Sequence, residues 1–237
     1  MRWRIGLIDS CGALPQAVAS AGFRVADGQA CRAAHGPDPT GHGTRIATIL
    51  TRDGADVELV LAQVFGTAGP TSAAAVAAAI DWCLGEGVEL LQLSLGLAAD
   101  RPVLAEAVAR AVDRGCVLVA ATPSRGGPVY PAAYPGVIRG TGDARCAPGQ
   151  VSELAAATFG GCPRSGAPGR SASGQGASVG AAEVTRVLIE VAESRTMAGA
   201  LAALTARASY RGPERRTHAA APPKASLPPG PVTSARS

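Results

Sequence analysis

Aromatic residues make up only 3% of the 237 residues, and histidines number three. So few rings suit a tightly packed α/β domain better than a β-sandwich. No apolar run approaches the roughly 18 residues that span a bilayer, so no membrane contact is expected. The start, Met1-Arg2-Trp3-Arg4-Ile5, passes straight into a strand pattern. It has neither the apolar stretch nor the small-residue cleavage site of a signal peptide, so a cytoplasmic location is expected. The six cysteines, Cys11, Cys31, Cys83, Cys116, Cys146 and Cys162, form no C-x-x-C pair. That spacing excludes the zinc and dithiol signatures. Free thiols packed as small hydrophobes are expected, with a Cys146–Cys162 bridge left open. No Asp-rich loop has calcium-ligand spacing. No metal and no cofactor are therefore expected. The net charge of +4 arises within residues 211–237, which hold five basic residues against Glu214. The body is neutral, which excludes a nucleic-acid face. Those last residues also carry six prolines and read as a disordered tail, leaving 1–210 as one folded domain.

What the chain has is Ala, Val, Leu and Gly in alternating patterns. Residues 3–9, 57–64, 88–95, 116–121 and 136–140 read as buried strands. Residues 72–85, 102–114, 178–194 and about 197–209 carry apolar positions at helical spacing. Strands alternating with helices imply crossovers and a mainly parallel sheet, with ligands at the carboxyl ends of its strands. Asp9, Ser94 and Ser124 lie at or just beyond such ends.

Three segments carry the chemistry. They are Ile8-Asp9-Ser10, Gly41-His42-Gly43-Thr44 and Gly176-Ala177-Ser178. A serine hydroxyl attacks only when a base is within hydrogen-bond reach, and the base needs an acceptor to fix its tautomer. Ser178 is read as nucleophile, His42 as base and Asp9 as orienter. Each alone has a plainer reading, as a helix cap, a tight-turn histidine or a turn acid. The order Asp…His…Ser overturns those readings. It is the subtilisin order, not that of chymotrypsin or the α/β-hydrolases. On these motifs the chain resembles the subtilisin-like serine peptidases over residues 3–194.

The resemblance implies an α/β, subtilisin-like three-layer fold, with a mainly parallel central sheet flanked by helices. It places Ser124 where the family has its oxyanion asparagine, with the Ser178 backbone N–H as second donor. Ser94, Leu95 and Gly96 on one side, and Gly69, Pro70 and Thr71 on the other, would hold an extended peptide by strand addition. Val129 stands where a glycine is common in the first subsite, which predicts a short pocket and small P1 residues. Arg125 is placed at its rim, and Ala73 replaces an aromatic at the fourth subsite. Two departures stand out around the serine. Ala177 replaces the usual threonine, and Ala182-Glu183 replace the usual Pro-His.

The body begins at the first strand, so no prodomain is expected. It is similar in this to the small subtilisin-like proteases of peptide-modification pathways. That implies leader removal from a modified precursor, such as the cross-linked small subunit of quinohemoprotein amine dehydrogenase. The expected partners are that leader-bearing subunit and its radical-SAM modifying enzyme. The alternatives are a leader peptidase of a lanthipeptide or cyanobactin-type pathway, and an inactive peptide-binding scaffold on the same fold.

Overall fold

The computed structural model describes residues 2–66, 70–164 and 176–214. Ten strands of these residues form one sheet. They are β1 (Trp3–Asp9), β2 (Ala17–Ala26), β3 (Gln29–Ala33), β4 (Val57–Gln63) and β5 (Leu90–Leu93), then β6 (Val117–Ala121), β7 (Val137–Gly142), β8 (Val151–Ala155), β9 (Thr158–Gly161) and β10 (Tyr210–Arg211). Their spatial order is β10-β8-β9-β7-β6-β5-β1-β4-β2-β3. Every pairing is parallel except β2 with β3 and β8 with β9. The expected α/β architecture with a mainly parallel sheet is therefore present.

Five helices cover the faces: α1 (His42–Leu50), α2 (Ala73–Gly85), α3 (Pro102–Asp113), α4 (Gly176–Val191) and α5 (Met197–Arg207). α2 and α3 pack one core with Leu91, Leu93 and Leu118. α1, α4 and α5 pack the other with Trp3, Ile5, Leu7 and Leu90. Alternate residues of each central strand point to opposite faces, so continuous apolar runs fill both layers. Local chemistry sets the helix starts. Ser72 Oγ accepts from Ala75 N (3.1 Å), Thr196 Oγ1 accepts from Gly199 N (3.1 Å), and α3 opens on Pro102.

Several elements were not expected from the sequence. The β2–β3 hairpin turns on Asp27 and Gly28, both at positive φ (51° and 76°). An Asp-Gly pair between apolar runs is a strong hairpin signal. β8 and β9 form the second hairpin. A short strand also spans the expected domain boundary at 210. Arg211 lies in β10 and pairs with Glu153, while Ser209 N and Gly212 N donate to Val151 O and Glu153 O (both 2.8 Å). The guanidinium of Arg145 covers the Tyr210 ring at 5.1 Å. These ties hold the chain to the sheet through Gly212. Residues 215–237 of the expected tail lie outside the described residues.

α4 comes unusually close to β7 and β9. A Cβ on Gly140 would sit 2.6 Å from Ala181 Cα, and one on Gly180 would collide with the Thr141 carbonyl oxygen. Glycine on both elements removes the spacer that side chains would impose, and this fixes where Ser178 sits over the sheet. A methyl at Gly180 forces the backbones apart. Gly180→Ala should therefore destabilise the protein by roughly 2–3 kcal/mol, the upper range of overpacking costs. Urea unfolding measures it, and a loss below 0.5 kcal/mol, roughly the effect of an ordinary surface substitution, would refute the close-approach argument.

Candidate active site

Asp9 ends β1 at the carboxyl edge of the sheet and is 1% exposed. A carboxylate this deep needs donors. Ser10 supplies its backbone N–H (2.6 Å) and a hydroxyl (3.2 Å) whose one proton is shared with Asp38, and His42 Nδ1 lies 2.8 and 3.0 Å from the two carboxylate oxygens. The hydrogen bond to Asp9 raises the His42 pKa. Burial opposes the rise, and the charges of Asp9 and Asp38 add to it. With Nδ1 engaged by Asp9, Nε2 is the nitrogen left for chemistry. His42 is 32% exposed, so a substrate can reach it.

His42 is the first residue of α1, and Gly41 before it takes a left-handed turn (φ 71°). Gly43 lies against Cys11, where a Cβ would come within 2.6 Å of Cys11 Cα. Both glycines of Gly41-His42-Gly43 are thus required by geometry, one by φ and one by contact. Burial, with the charges of Asp9 and Asp38, pushes the Cys11 thiol well up, so it packs as a hydrophobe.

Asp38 organises this loop, and the sequence reading missed it. Its Oδ1 accepts from Ser10 Oγ (2.9 Å), Thr40 N (3.1 Å) and Gly41 N (2.8 Å); its Oδ2 accepts from Thr44 N (2.8 Å) and Thr44 Oγ1 (2.7 Å). Burial pushes the Asp38 carboxyl up, but the hydrogen bonds from Thr44, Ser10 and Thr40 outweigh it and hold it below the usual range. The Asp38-Pro39 pair, four residues before His42, was the available signal for such a side-chain turn. Gln63 at the end of β4 closes the loop from behind. Its amide donates to Ser10 O (3.1 Å) and Pro37 O (3.1 Å) and accepts from Gly36 N (2.9 Å).

Ser178 lies in the first turn of α4, two residues after the helix begins rather than at its opening. α1 and α4 pack against each other on the same face of the sheet. The Ser178 hydroxyl donates to the Ser94 carbonyl oxygen at 3.2 Å. β5 ends at Leu93, and Ser94, Leu95 and Gly96 follow it. Leu97 then pairs with Tyr130 through two backbone hydrogen bonds (2.7 and 2.8 Å). This bridge seats Val129 on Gly96, where a Cβ would meet both Val129 Cβ and Cγ2 at 3.1 Å. Ser124 and Arg125 are exposed beyond the end of β6, and Pro70 and Thr71 precede α2. Gly69 lies outside the described residues.

No protein-family model matches the chain. Among curated proteins it is similar to the minor extracellular protease Epr of Bacillus subtilis (strain 168). Identity there is 32%, over 43% of this chain and 18% of that protein. It is 33% identical to subtilisin Savinase of Lederbergia lenta, over 41% of this chain and 40% of that protein. The similarity to these proteases is confined to that segment. The chain spans less than half the length of these relatives. A crystal structure of a lanthipeptide protease aligns with TM-score 0.48 and 20% identity, over 60% of this chain and 48% of that one.

Glu183, one of the two departures expected around Ser178, has visible partners. Glu183 is fully buried and takes a bidentate pair from Arg52 (2.9 and 3.2 Å) after α1, plus the Gly149 N–H (3.3 Å). The ion pair ties the chain just after α1 to α4. Asp38 adds negative charge near the His42 imidazole. Asp38→Asn should therefore lower the His42 pKa, and NMR titration of the imidazole, assigned with His42→Ala, checks it. An unchanged or raised value would refute the electrostatic role.

Proposed function

We propose that the protein is a subtilisin-type serine endopeptidase acting through Asp9, His42 and Ser178. The observation that carries this reading is the Asp9–His42 pair, buried on one side and open on the other. In this mechanism Ser178 Oγ leaves the Ser94 carbonyl and attacks a peptide carbonyl while His42 Nε2 takes its proton. Asp9 stabilises the imidazolium without taking the proton. The oxyanion receives the Ser178 N–H, on the positive end of α4, and the Ser124 hydroxyl. His42 then protonates the departing amine, and water releases the acyl group by the reverse sequence.

Serine reaches less far than an amide at the oxyanion position. Loss of such a donor costs roughly 10²–10³ in turnover, a magnitude set by subtilisin mutants. The protein is accordingly slow, which suits one dedicated substrate. The substrate lies extended between Ser94-Leu95-Gly96 and Gly69-Pro70-Thr71, with Arg125 favouring a nearby acidic group. Val129 on Gly96 supports a short first subsite that takes Gly, Ala or Ser. Narrow specificity and low turnover favour a single cut that frees a leader from a modified precursor. The cross-linked small subunit of quinohemoprotein amine dehydrogenase, with its radical-SAM enzyme as partner, is the narrowest form of this reading. A lanthipeptide or cyanobactin-type precursor is its alternative.

A fluorophosphonate probe should label the protein, and Ser178→Ala should abolish labelling. An unlabelled, folded protein that still binds peptide would instead favour a non-catalytic scaffold. Because His42 must be neutral to accept a proton and its pKa is raised, labelling should increase with pH through a midpoint above the usual 6.5. A midpoint below 6 would contradict the Asp9 pairing. Ser124→Asn should raise turnover at least about tenfold. Val129→Gly should extend cleavage to Phe and Leu at P1; wild type already cutting after Phe or Leu would refute the short pocket.

A further inference from the structure

Gln92 is a fully buried amide in the strand Leu90-Leu91-Gln92-Leu93, at the centre of the sheet. Apolar residues fill the rest of that strand, so an amide there costs stability unless both its ends are bonded. Both are. Leu91 and Leu93 face α2 and α3, whereas Leu90 faces α1 and α4. Strand alternation puts Gln92 and Ser94 on the α4 side as well. Gln92 Oε1 accepts from Thr185 Oγ1 of α4 at 2.5 Å, and Gln92 Nε2 donates to Ser94 Oγ at 2.9 Å. Thr185 follows Ser178 by two helical turns and lies on the same stripe of α4. The Ser178 hydroxyl meets the Ser94 carbonyl. A closed path therefore runs from α4 through Thr185, Gln92 and Ser94 back to α4 at Ser178.

We infer that Gln92 is a positioning residue for acylation, an inference that rests on the serine peptidase reading above. Ser94 has two duties there. Its carbonyl holds the resting Ser178 hydroxyl, and its backbone begins the segment that receives substrate. Neither duty uses its side chain, which is free to be clamped. Gln92 clamps it and fixes the register of α4 on β5 with the same amide. The hydroxyl then starts each turnover from one place, within a short rotation of its attacking position. Misplacement of a reacting group by about 1 Å can cost about a hundredfold in rate, so a clamp remote from the bond being cut can be felt in turnover.

The test compares Gln92→Met, which keeps volume and removes both hydrogen bonds, with Leu93→Val, a destabilising change on the opposite face of the same strand. The readout is the rate of fluorophosphonate labelling of the full chain. Gln92→Met should label roughly tenfold or more slowly, with its pH midpoint unchanged because Asp9, His42 and Asp38 are untouched. Leu93→Val should label within twofold of wild type. Equal rates for the two variants would reduce Gln92 to a stabilising residue and overturn the inference. Should Gln92→Met fail to fold, Thr185→Val cuts the same path at its helix end. It should slow labelling severalfold, and an unchanged rate would again overturn the inference. Wild type that labels nowhere would instead sink the peptidase reading. A crystal structure of Thr185→Val then decides the positioning claim by itself, since a Ser178 Oγ to Ser94 O separation still near 3.2 Å would refute it.

Discussion

A charged carboxylate buried at the end of β1 is the constraint from which the candidate site follows. Asp9 is out of water, so every donor it needs must come from the protein. Ser10 gives two and His42 gives the third. Holding His42 there requires the chain after β3 to fold back over the strand end. Asp38 accomplishes that by gathering Ser10, Thr40, Gly41 and Thr44 around one side chain. Gln63 does the same from beneath by satisfying the carbonyls of both loops. One buried charge thus recruits a second acid and an amide, and the imidazole inherits its tautomer and raised pKa from them.

The other half of the site arrives on α4 by a different physical route. Packing rather than charge sets its position. Glycines at 140 and 180 let the helix settle onto β7. The Arg52–Glu183 pair and the Thr185–Gln92 bond then fix its rotation and register. Buried polar groups of this kind are costly unless every partner is present, and here each is bonded. α1 and α4 pack against each other on one face of the sheet, whose parallel strands end along one edge. Val129 reaches the same edge from the loop after β6 and closes down on Gly96.

Much of this was legible without coordinates. The strands at 3–9 and 57–64, the helices at 72–85 and 102–114, and the parallel sheet follow from apolar period and from Ser, Pro and Gly at element ends. The hairpin over 17–33 escaped notice because its strands are Ala-rich and half exposed, although Asp27-Gly28 marks the turn. β10 escaped because Tyr210-Arg211 is too short to show a period. Asp38 and Gln92 were invisible for a deeper reason. An acid in a Pro-containing loop and an amide in an apolar strand each have many ordinary explanations in one dimension.

The sequence by itself determined which groups could do chemistry and in what order along the chain. An acid at a strand end, a histidine between glycines and a serine near a helix start are local properties, written in adjacent residues. Tertiary structure decided what those groups touch. It gave Asp9 its imidazole, set Asp38 as the hub of the loop, and turned the Ser178 hydroxyl onto the Ser94 carbonyl. It also left Ser124 exposed at its strand end and pulled Arg211 into the sheet. Apart from the short reach of Asp38 to Thr44, such contacts join residues 33 to 84 positions apart. Short-range pattern carries no information about them, because burial and hydrogen-bond satisfaction are properties of the whole packed chain.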